Sequence, residues 1–451
     1  MTTATSQLDL LLYDDLYRMY SPRLEERLEW RLLPTFVPNK DLPIHNWFYC
    51  PQAFSHQLVE ELLALLSTST ASKVLDPFCG IGTTLHTCSE KGIRSVGCDI
   101  FPLFCFVTKV KCEKNYSLPD LERGIEYVVE HGAKSVPTET PKHPLFEKAF
   151  SPGALKQLLS YKNTILSAED ERVRDFLLLG LLSIVNEVSY IRKAGAHYRF
   201  INVDRAGVKH QYKRLEVREP NVKEVFKQKL YRMLGDVSFR RENLRKYVWQ
   251  DRDDLVPDVR IADARDLSFL EAGTVDAVIT SPPYLNRDSY VAQYKLELFL
   301  AEPPYGVREF KDYRDITFRT LRSHVEAKQQ EKYKATLRIR EIELLVDELR
   351  KRDLSYKSIP DMVRGYFEDM SVVLRELNRV LKGGSRSAIV VGNVRFGGVP
   401  IPVDLLLSRT AEEIGFHVEK IVVARYKMNS PQQMKRYGKV PVRESIVIVQ
   451  K

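Results

Sequence analysis

The chain has 451 residues, a length typical of two or three domains, and 44% of them are hydrophobic, which is enough for a folded core and excludes wholesale disorder. It contains no apolar run of about 18 residues, so we expect no membrane-spanning segment. The first 20 residues lack the basic start and apolar run of a secretory signal, which favours a cytoplasmic protein. The six cysteines lack the paired spacing of zinc sites, and we expect reduced, partly buried thiols.

The net charge of +9 is unevenly distributed along the chain. Residues 191–250 contain 16 lysines and arginines but six acidic residues, so this segment alone has a surplus of ten positive charges. A concentrated basic segment is typical of proteins that bind a phosphate backbone. A solvated helical face has the same composition and is the commoner explanation of a charge run.

The chain begins with a predicted helical lead-in, residues 1–45, which contains proline turns. Apolar residues at helical spacing then predict a helix from Phe54 to Leu66, with Ser55 as its N-cap. These elements precede the first strand of the predicted sheet.

A strand, a glycine loop, a helix and a second strand follow in that order. Residues 73–75 predict a strand that runs into the loop 76–84, with the sequence DPFCGIGTT. A helix should begin in this loop and extend to Lys91, before a glycine that stops it. Residues 94–98 predict the next strand, which ends at Asp99. This order predicts the start of a parallel α/β sheet.

The middle of the chain interrupts this alternation. Residues 113–256 are predicted to be mostly helical, with a strongly apolar, buried helix over 173–191. The α/β pattern resumes with a short strand at 259–261 and a buried strand at 275–280, which ends at Ser281.

A second interruption, residues 303–360, is charged and predicts a helical hairpin or arm. An amphipathic helix over 366–381, closed by two glycines, follows it. The last three predicted strands lie at 387–391, 417–424 and 444–450.

The glycine loop is the first candidate binding site. Glycines between a strand and a helix let a ligand approach backbone amides closely. Asp99, at the end of the next strand, has the position from which a carboxylate accepts hydrogen bonds from both hydroxyls of a ribose. A structural turn or a dinucleotide-binding fold are the alternatives, although the dinucleotide fingerprint requires a third glycine where Leu85 stands.

The second candidate site is Ser281-Pro282-Pro283-Tyr284, directly after a predicted strand. Two prolines fix the backbone and remove two amide donors, which leaves carbonyl acceptors and suits a substrate with an NH2 group. The Ser281 hydroxyl and the Pro282 carbonyl can each accept one hydrogen of that group, which raises the electron density on its nitrogen. Tyr284 offers a flat face for an unstacked base. A simple proline turn explains these four residues alone equally well.

Together, the two motifs resemble those of the S-adenosylmethionine-dependent amino-methyltransferases that act on DNA. DPFCGIGTT resembles their cofactor motif and SPPY their catalytic motif. Trp47–Leu63 resembles the element that closes over the methionine end of the cofactor, and 377–393 resembles the fifth-strand region of the fold. The resemblance implies an α/β, Rossmann-like class I methyltransferase fold: a mixed sheet with helices on both faces, plus helical insertions.

The resemblance also implies how the cofactor S-adenosylmethionine is bound. Asp99 matches the acid that binds the ribose, and Asp263 matches the acid that meets the adenine amino group. Transfer is expected to be direct, from the sulfonium to the amine, and requires no metal ion. The implied cofactor-binding residues are Phe54, Asp76, Pro77, Phe78, Gly80, Gly82, Thr83, Asp99, Ile100, Asp263 and Ala264, and the implied catalytic residues are Ser281, Pro282, Pro283 and Tyr284.

On this basis the chain is predicted to be one methyltransferase domain with two insertions. The predicted segments are a lead-in with the cofactor-binding half at 1–112, a basic helical insertion at 113–256, the catalytic half at 257–302, a second helical insertion at 303–360 and the C-terminal part at 361–451.

The first residue of the catalytic motif bears on the target base. In the family, serine tends to accompany methylation of cytosine N4 and aspartate that of adenine N6, so Ser281 favours cytosine N4. Adenine N6 stays open as an alternative, because either residue only has to accept a hydrogen bond. Methylation of cytosine C5 is set aside, because the chain has no Pro-Cys dipeptide to supply the thiolate.

Two further alternatives remain open at this point. Guanine-N2 methyltransferases of tRNA have similar motifs, although no appended RNA-binding module is recognisable in this chain. A non-enzymatic DNA-binding module would also be basic, but the complete set of cofactor motifs argues against it.

Double-stranded DNA is the expected partner, and a cognate restriction endonuclease could accompany the enzyme. Either insertion is a candidate for reading the target, and we favour the first over 303–360 because it is basic and mixes cationic with aromatic residues. Packing of these aromatics in a core is the competing interpretation, and a third basic segment, 425–439, is interpreted as a solvated hairpin loop. The candidate DNA-binding residues are Arg192, Lys193, His197, Tyr198 and Arg199.

Overall fold

The computed structural model describes residues 7–136, 141, 143–194, 197–200, 220–244, 252–285, 289–333, 335, 338–428 and 431–451. Within these ranges, no helix has the length and apolar character needed to cross a membrane.

Strands and helices alternate in the parts of the chain that carry the two motifs. The strands of the described ranges are β1 (Leu24–Glu26), β2 (Lys73–Asp76), β3 (Arg94–Asp99), β4 (Ile191–Ala194), β5 (His197–Phe200), β6 (Asp258–Ile261), β7 (Val275–Thr280), β8 (Leu381–Gly392), β9 (Val394–Phe396), β10 (Val399–Ile401), β11 (His417–Lys427) and β12 (Val442–Gln450). The α-helices are α1 (Gln7–Tyr20), α2 (His56–Leu65), α3 (Thr83–Glu90), α4 (Pro102–Cys112), α5 (Leu118–His131), α6 (Leu145–Ala149), α7 (Pro152–Leu166), α8 (Glu171–Ile184), α9 (Val222–Leu244), α10 (Tyr290–Gln293), α11 (Lys295–Leu300), α12 (Phe310–Arg319), α13 (Arg340–Arg350), α14 (Ile359–Val380), α15 (Val403–Ile414) and α16 (Pro431–Tyr437).

An eight-stranded mixed sheet, in the order β1-β11-β12-β8-β7-β2-β3-β6, forms the centre of the molecule. Strands β8, β7, β2, β3 and β6 are parallel to one another, whereas β12 is antiparallel to both of its neighbours, β8 and β11. The prediction of a Rossmann-like methyltransferase fold with a mixed sheet is therefore confirmed.

Both faces of the sheet are buried because the middle residues of its central strands are apolar on both sides. Along a strand, neighbouring side chains point to opposite faces. Val74 and Ile279 pack with α2 on one face, whereas Leu75 and Val278 pack with α14 and α15 on the other. Consecutive apolar residues at the centre of a strand are typical of parallel sheets covered by helices on both sides.

Helices α2 and α3, which flank the glycine loop, begin where the sequence predicts. Ser55 caps α2, because its Oγ accepts a hydrogen bond of 3.1 Å from the amide of Leu58. Gly82 precedes α3 with a φ of +79°, a left-handed conformation that glycine adopts without a steric penalty. The conformation of the loop between β2 and α3 therefore depends on a glycine at position 82.

Several boundaries differ from the prediction. The apolar helix predicted over 173–191 ends at Ile184. The apolar pattern continues beyond it because Val185 and Val188 are buried in the turn that leads into β4. The helix predicted over 366–381 begins earlier, at the start of α14. The two glycines predicted to close it lie within β8, where the register with β7 shifts.

Several elements were not predicted from the sequence, among them the short strands β4, β5, β9 and β10. Strand β1, in the lead-in, pairs in parallel with the edge strand β11. Helix α16 lies in the segment 425–439, which the sequence predicts to be a solvated loop.

The two insertions pack on the body of the protein. Helices α5, α7, α8 and α9 of the first insertion share one hydrophobic core with Phe106 of α4 and with Trp47 of the lead-in. In the second insertion, Leu345 and Leu349 of α13 are buried against α14, so this segment does not extend away from the body as an arm.

Candidate active site

A cleft opens at the carboxyl ends of β2, β3 and β7, which are neighbours in the sheet. The chain leaves β2 towards β3 on one side and later returns to β7 on the other, and ligands bind at such switch points in α/β proteins. Gly82, Pro282 and Tyr284 are next to lining residues in the two motifs but are not themselves part of the lining. The other residues implied by the motifs line it, namely Phe54, Asp76, Pro77, Phe78, Gly80, Thr83, Asp99, Ile100, Asp263, Ala264, Ser281 and Pro283.

Asp76, at the end of β2, ties the glycine loop to the strand that carries the catalytic motif. Its carboxylate accepts hydrogen bonds from Thr280 Oγ1 at 2.7 Å, from Thr84 Oγ1 at 2.7 Å and from the Phe78 amide at 3.1 Å. Burial raises the pKa of Asp76 to about 6, although these donors favour the charged form. Because both of its oxygens have internal partners, Asp76 mainly holds the ends of β2 and β7 together.

Contacts with α4 fix the shape of the glycine loop. Thr108 Oγ1 donates a hydrogen bond of 2.8 Å to the Gly80 carbonyl, and a Cβ atom on Gly82 would lie 2.6 Å from Thr108 Cγ2. The buried Lys111 donates to the Ile81 carbonyl at 2.8 Å. Any side chain at Gly82 would therefore push the loop away from α4 and into the cleft.

Asp99, at the end of β3, faces the cleft as a half-buried carboxylate. One oxygen accepts a hydrogen bond from the Gly80 amide at 3.0 Å and the other from the Phe101 amide at 2.8 Å. Burial raises the pKa of Asp99 to about 7. Each carboxylate oxygen keeps a free lone pair, so Asp99 can still accept hydrogen bonds from two adjacent hydroxyls of a ligand.

Asp263, after β6, is oriented by a buried arginine. Arg265 donates to its two carboxylate oxygens, from Nε at 3.0 Å and from Nη2 at 2.8 Å. Arg265 also lies 3.2 Å from Asp369 of α14 and donates to the carbonyl of Arg319 in the second insertion. The network holds Asp263 on the cleft and joins it to the second insertion.

The segment before α2 forms another wall of the cleft, with Cys50, Gln52 and Phe54 in its lining. Tyr294 fixes this wall from behind, because its hydroxyl donates a hydrogen bond of 3.2 Å to Gln52 Oε1. The Thr83 hydroxyl also lines the cleft and has no hydrogen-bond partner among the described residues, although it is buried. An unpaired buried hydroxyl of this kind is suited to a polar group of a ligand.

The catalytic motif leaves β7 at Ser281. The Ser281 hydroxyl donates its hydrogen to the Val390 carbonyl at 3.3 Å, which leaves the oxygen lone pairs as acceptors. Tyr284 lies beside Gly392, where a Cβ atom would come within 3.0 Å of its ring. The lack of a side chain at Gly392 therefore makes room for the tyrosine. Lys427 Nζ lies 4.7 Å from the centre of the same ring.

Residues 319–321, 323 and 324 of the second insertion also line the cleft, which the sequence did not predict. His324 is buried there, and its Nε2 lies 2.8 Å from Thr320 Oγ1. That hydroxyl donates its own hydrogen to the Thr317 carbonyl at 2.8 Å, so His324 Nε2 must carry the ring hydrogen and Nδ1 is an acceptor. Burial lowers the pKa of His324 to about 4, and within the described ranges Nδ1 has no partner. No local motif marks this residue in the sequence.

The candidate DNA-binding residues lie on or beside the hairpin of β4 and β5. Arg192 is exposed, but it donates to the carbonyl of Asn186 at 2.9 Å. Lys193 is buried in an ion pair of 2.6 Å with Glu297 of α11, and its Nζ lies 3.6 Å from the centre of the Tyr294 ring. The charge of Lys193 is therefore neutralised inside the protein. The backbones of His197, Tyr198 and Arg199 form β5, and their side chains lie outside the described part of the structure.

Part of the remaining positive charge of the basic segment is also internal. Arg240 of α9 is enclosed and donates to the carbonyl of Glu113 at 2.9 Å. Lys229 donates to the carbonyl of Asn46 at 3.3 Å, and burial lowers its pKa to about 8. The charge surplus of the sequence thus overstates what this insertion can present to a phosphate backbone.

Comparison with known proteins identifies the family of this arrangement. A family model for N6/N4 DNA methylases, described as DNA methylase, matches residues 24–109, which contain the glycine loop. The type II methyltransferase M.BsoBI of Geobacillus stearothermophilus is 32% identical, over 93% of this chain and 88% of its own length. The chain belongs to the type II DNA methyltransferases. M.AvaI of Nostoc is 31% identical over 95% of this chain and 90% of its own length, and M.MvaI of Kocuria varians is 23% identical over 83% and 82%.

The relationship extends beyond the two motifs. The matches to M.BsoBI and M.AvaI cover 93% and 95% of this chain. Each match therefore includes at least part of both insertions. DNA methyltransferases of this family act on DNA and generally use S-adenosylmethionine, and the relatives' names set the chain in the context of restriction and modification.

Proposed function

We propose that this methyltransferase transfers a methyl group from S-adenosylmethionine to the N4 amino group of cytosine in double-stranded DNA. The observation that carries the proposal is the position of Ser281, at the end of β7, on the same cleft as the glycine loop of β2. In the family whose motifs this chain resembles, serine at this place tends to accompany cytosine N4 and aspartate adenine N6.

The cleft has suitable partners for S-adenosylmethionine. Asp99 is an acceptor for ribose hydroxyls, and Asp263 keeps acceptor capacity for an adenine amino group beyond its bonds to Arg265. The Thr83 hydroxyl is buried without an internal partner among the described residues. When bound, the cofactor supplies a methyl group on an electrophilic sulfonium.

The catalytic motif would act on the amine by orientation and electrostatics. Because the Ser281 hydrogen is directed at the Val390 carbonyl, the serine oxygen can accept a hydrogen bond from the incoming NH2 group. The Pro282 carbonyl would accept the second hydrogen, since no amide hydrogen competes at that position. Both bonds would raise the electron density on a nitrogen that is otherwise conjugated with the ring and would orient it for methylation. The new N–C bond would replace the S–C bond of the cofactor, which leaves as the neutral thioether, and the nitrogen would release one hydrogen as a proton.

The base must leave the duplex to reach this cleft. We propose that the first insertion contacts the DNA around it, because β5 packs against α10, and Tyr290 of α10 lines the cleft. Arg192 is the exposed cation of this hairpin that we assign to phosphate contact, and Lys193 is left out because it is buried. A cognate restriction endonuclease is the partner that the names of the relatives support.

Transfer of a tritiated methyl group to duplex DNA, with tRNA as the parallel substrate, tests this function. We expect labelled DNA and unlabelled tRNA. Ser281→Ala should lower kcat by about 100-fold, the usual effect of removing one well-placed hydrogen-bonding group in a transition state. Ser268→Ala, which changes an exposed serine, should have no effect. Labelling of tRNA alone, or a wild-type rate in Ser281→Ala, would contradict the proposal.

A further inference from the structure

A cluster of two histidines and one glutamate lies outside the cleft, between the lead-in and helix α3. His45 stands in a short 3-10 turn, His45–Trp47, and His86 and Glu90 lie one helical turn apart on α3. One ligand atom from each of the three residues can be chosen so that all lie within 4.8 Å of one another.

The histidines of this cluster are buried without hydrogen bonds. His45 is 2% and His86 0% exposed, and none of their four ring nitrogens has a hydrogen-bond partner among the described residues. Leaving a buried polar group unpaired costs about 1–3 kcal/mol each, so a native protein rarely does so unless an ion or a water completes the site. Two such rings in contact, with centres 4.7 Å apart, are therefore hard to explain as packing alone.

The distances match those between the ligands of one metal ion. His45 Nε2 lies 3.5 Å from one oxygen of Glu90, and His86 Nε2 lies 3.5 Å from the other. Two donors on a tetrahedral zinc ion, each at about 2.0–2.2 Å, are separated by about 3.4 Å. The distances between the histidine nitrogens and the Glu90 oxygens are thus slightly too long for good hydrogen bonds and close to the distance between two ligands of one metal ion.

The surroundings of the cluster are suited to a cation. His45 and His86 are buried and direct ring nitrogens, the commonest metal ligands in proteins, towards Glu90. Glu90 lies in the last turn of α3, where the helix dipole favours positive charge, and its side chain is 39% exposed, which provides a route for an ion.

Two buried cations face the same cluster and must be counted against an ion. Lys111 and Arg240 both lower the pKa of His86 by their charge, and Arg240 also acts on Glu90. Each has a partner of its own, because Lys111 donates to the Ile81 carbonyl and Arg240 to the Glu113 carbonyl. A bound ion would therefore have to interact with Glu90 strongly enough to overcome its repulsion by the positive charges of Lys111 and Arg240.

We infer that His45, His86 and Glu90 form a zinc site that joins the lead-in to the helix of the glycine loop. Two histidines and one carboxylate, with a water in the fourth position, are a ligand set that Zn²⁺ takes where it keeps an open coordination position. The ion would brace α3, and so the glycine loop at its start, against the chain that continues from His45 into the wall formed by Cys50 and Phe54.

Metal content and cobalt spectroscopy test this site independently of activity. Protein purified without chelator should contain about one zinc per chain, and His86→Asn and His45→Gln should lose it. His131→Gln, which changes an exposed histidine beside Glu130, is the matched control and should keep it.

Where a variant fails to fold, wild-type protein treated with chelator and titrated with Co²⁺ gives the readout. It should show the visible absorption of tetrahedral cobalt at one equivalent, and zinc should displace that absorption and raise Tm by several degrees. Less than a tenth of an equivalent of zinc, with no tetrahedral cobalt spectrum and no change in Tm, would overturn the inference.

Discussion

The hydrogen bond between Thr280 and Asp76 offers a sharp test of how the two halves of the cleft are joined. Thr280→Val keeps the shape of the side chain but removes the 2.7 Å donor to a fully buried carboxylate. A hydrogen bond to a charged group contributes about 1.5–3 kcal/mol, and Asp76 would retain the bonds from Thr84 and Phe78. We therefore expect the free energy of unfolding to fall by about 2 kcal/mol.

Urea denaturation measures this change, and the slope m should stay constant because the folded structure is kept. Thr84→Val, which removes the equal bond to the other oxygen, should have a similar effect. Thr274→Val is the control, because its hydroxyl donates to the Glu271 carbonyl at the surface. A loss of less than about 0.5 kcal/mol in Thr280→Val, the range of ordinary surface substitutions, would refute the cross-link between β2 and β7.

Further predictions concern charges in and around the cleft. Because the pKa of Asp99 is raised from an ordinary 3.8 to about 7, its contribution to stability is lost as pH rises through 7. S-adenosylmethionine should bind more tightly over the same rise in pH. Calorimetry from pH 6 to 8 should show both changes in wild type and neither in Asp99→Asn. Lys193→Met should lower the free energy of unfolding in urea by about 3–5 kcal/mol, because it leaves Glu297 buried and unpaired. The salt dependence of its DNA affinity should stay as in wild type. Arg192→Ala should lower the slope of DNA affinity against salt concentration and leave stability intact. His324→Leu should lower methyl transfer about tenfold at unchanged Tm, and His324→Asn, which retains an acceptor near Nδ1, should recover part of the rate; equal rates in both variants would remove His324 from the site.

The sequence predicted the central strands and the cleft because there the local pattern and the tertiary structure agree. β7 has four apolar residues among its six, and both faces of the sheet are buried around it. The glycines of the loop at 76–84 are required by the positive φ of Gly80 and Gly82. Such positions allow few residue types, so a short motif carries much information.

The elements that the sequence missed depend on distant contacts. Strand β1 has three residues, Leu24–Glu26, without an apolar pattern, and it exists because β11 offers an unpaired edge. Lys193 looks like a DNA contact in a basic stretch, but Glu297 neutralises it from more than a hundred positions away. His324 enters the cleft only because the second insertion packs beside Arg265 and α14.

The target base is the central claim, and mass spectrometry of nucleosides tests it most directly. Duplex DNA methylated by the purified enzyme with S-adenosylmethionine would be digested and separated into its nucleosides. N4-methyldeoxycytidine as the new product, formed about 100-fold more slowly by Ser281→Ala, is the result that the proposed role of Ser281 predicts. N6-methyldeoxyadenosine in its place, with no N4-methyldeoxycytidine, would contradict it.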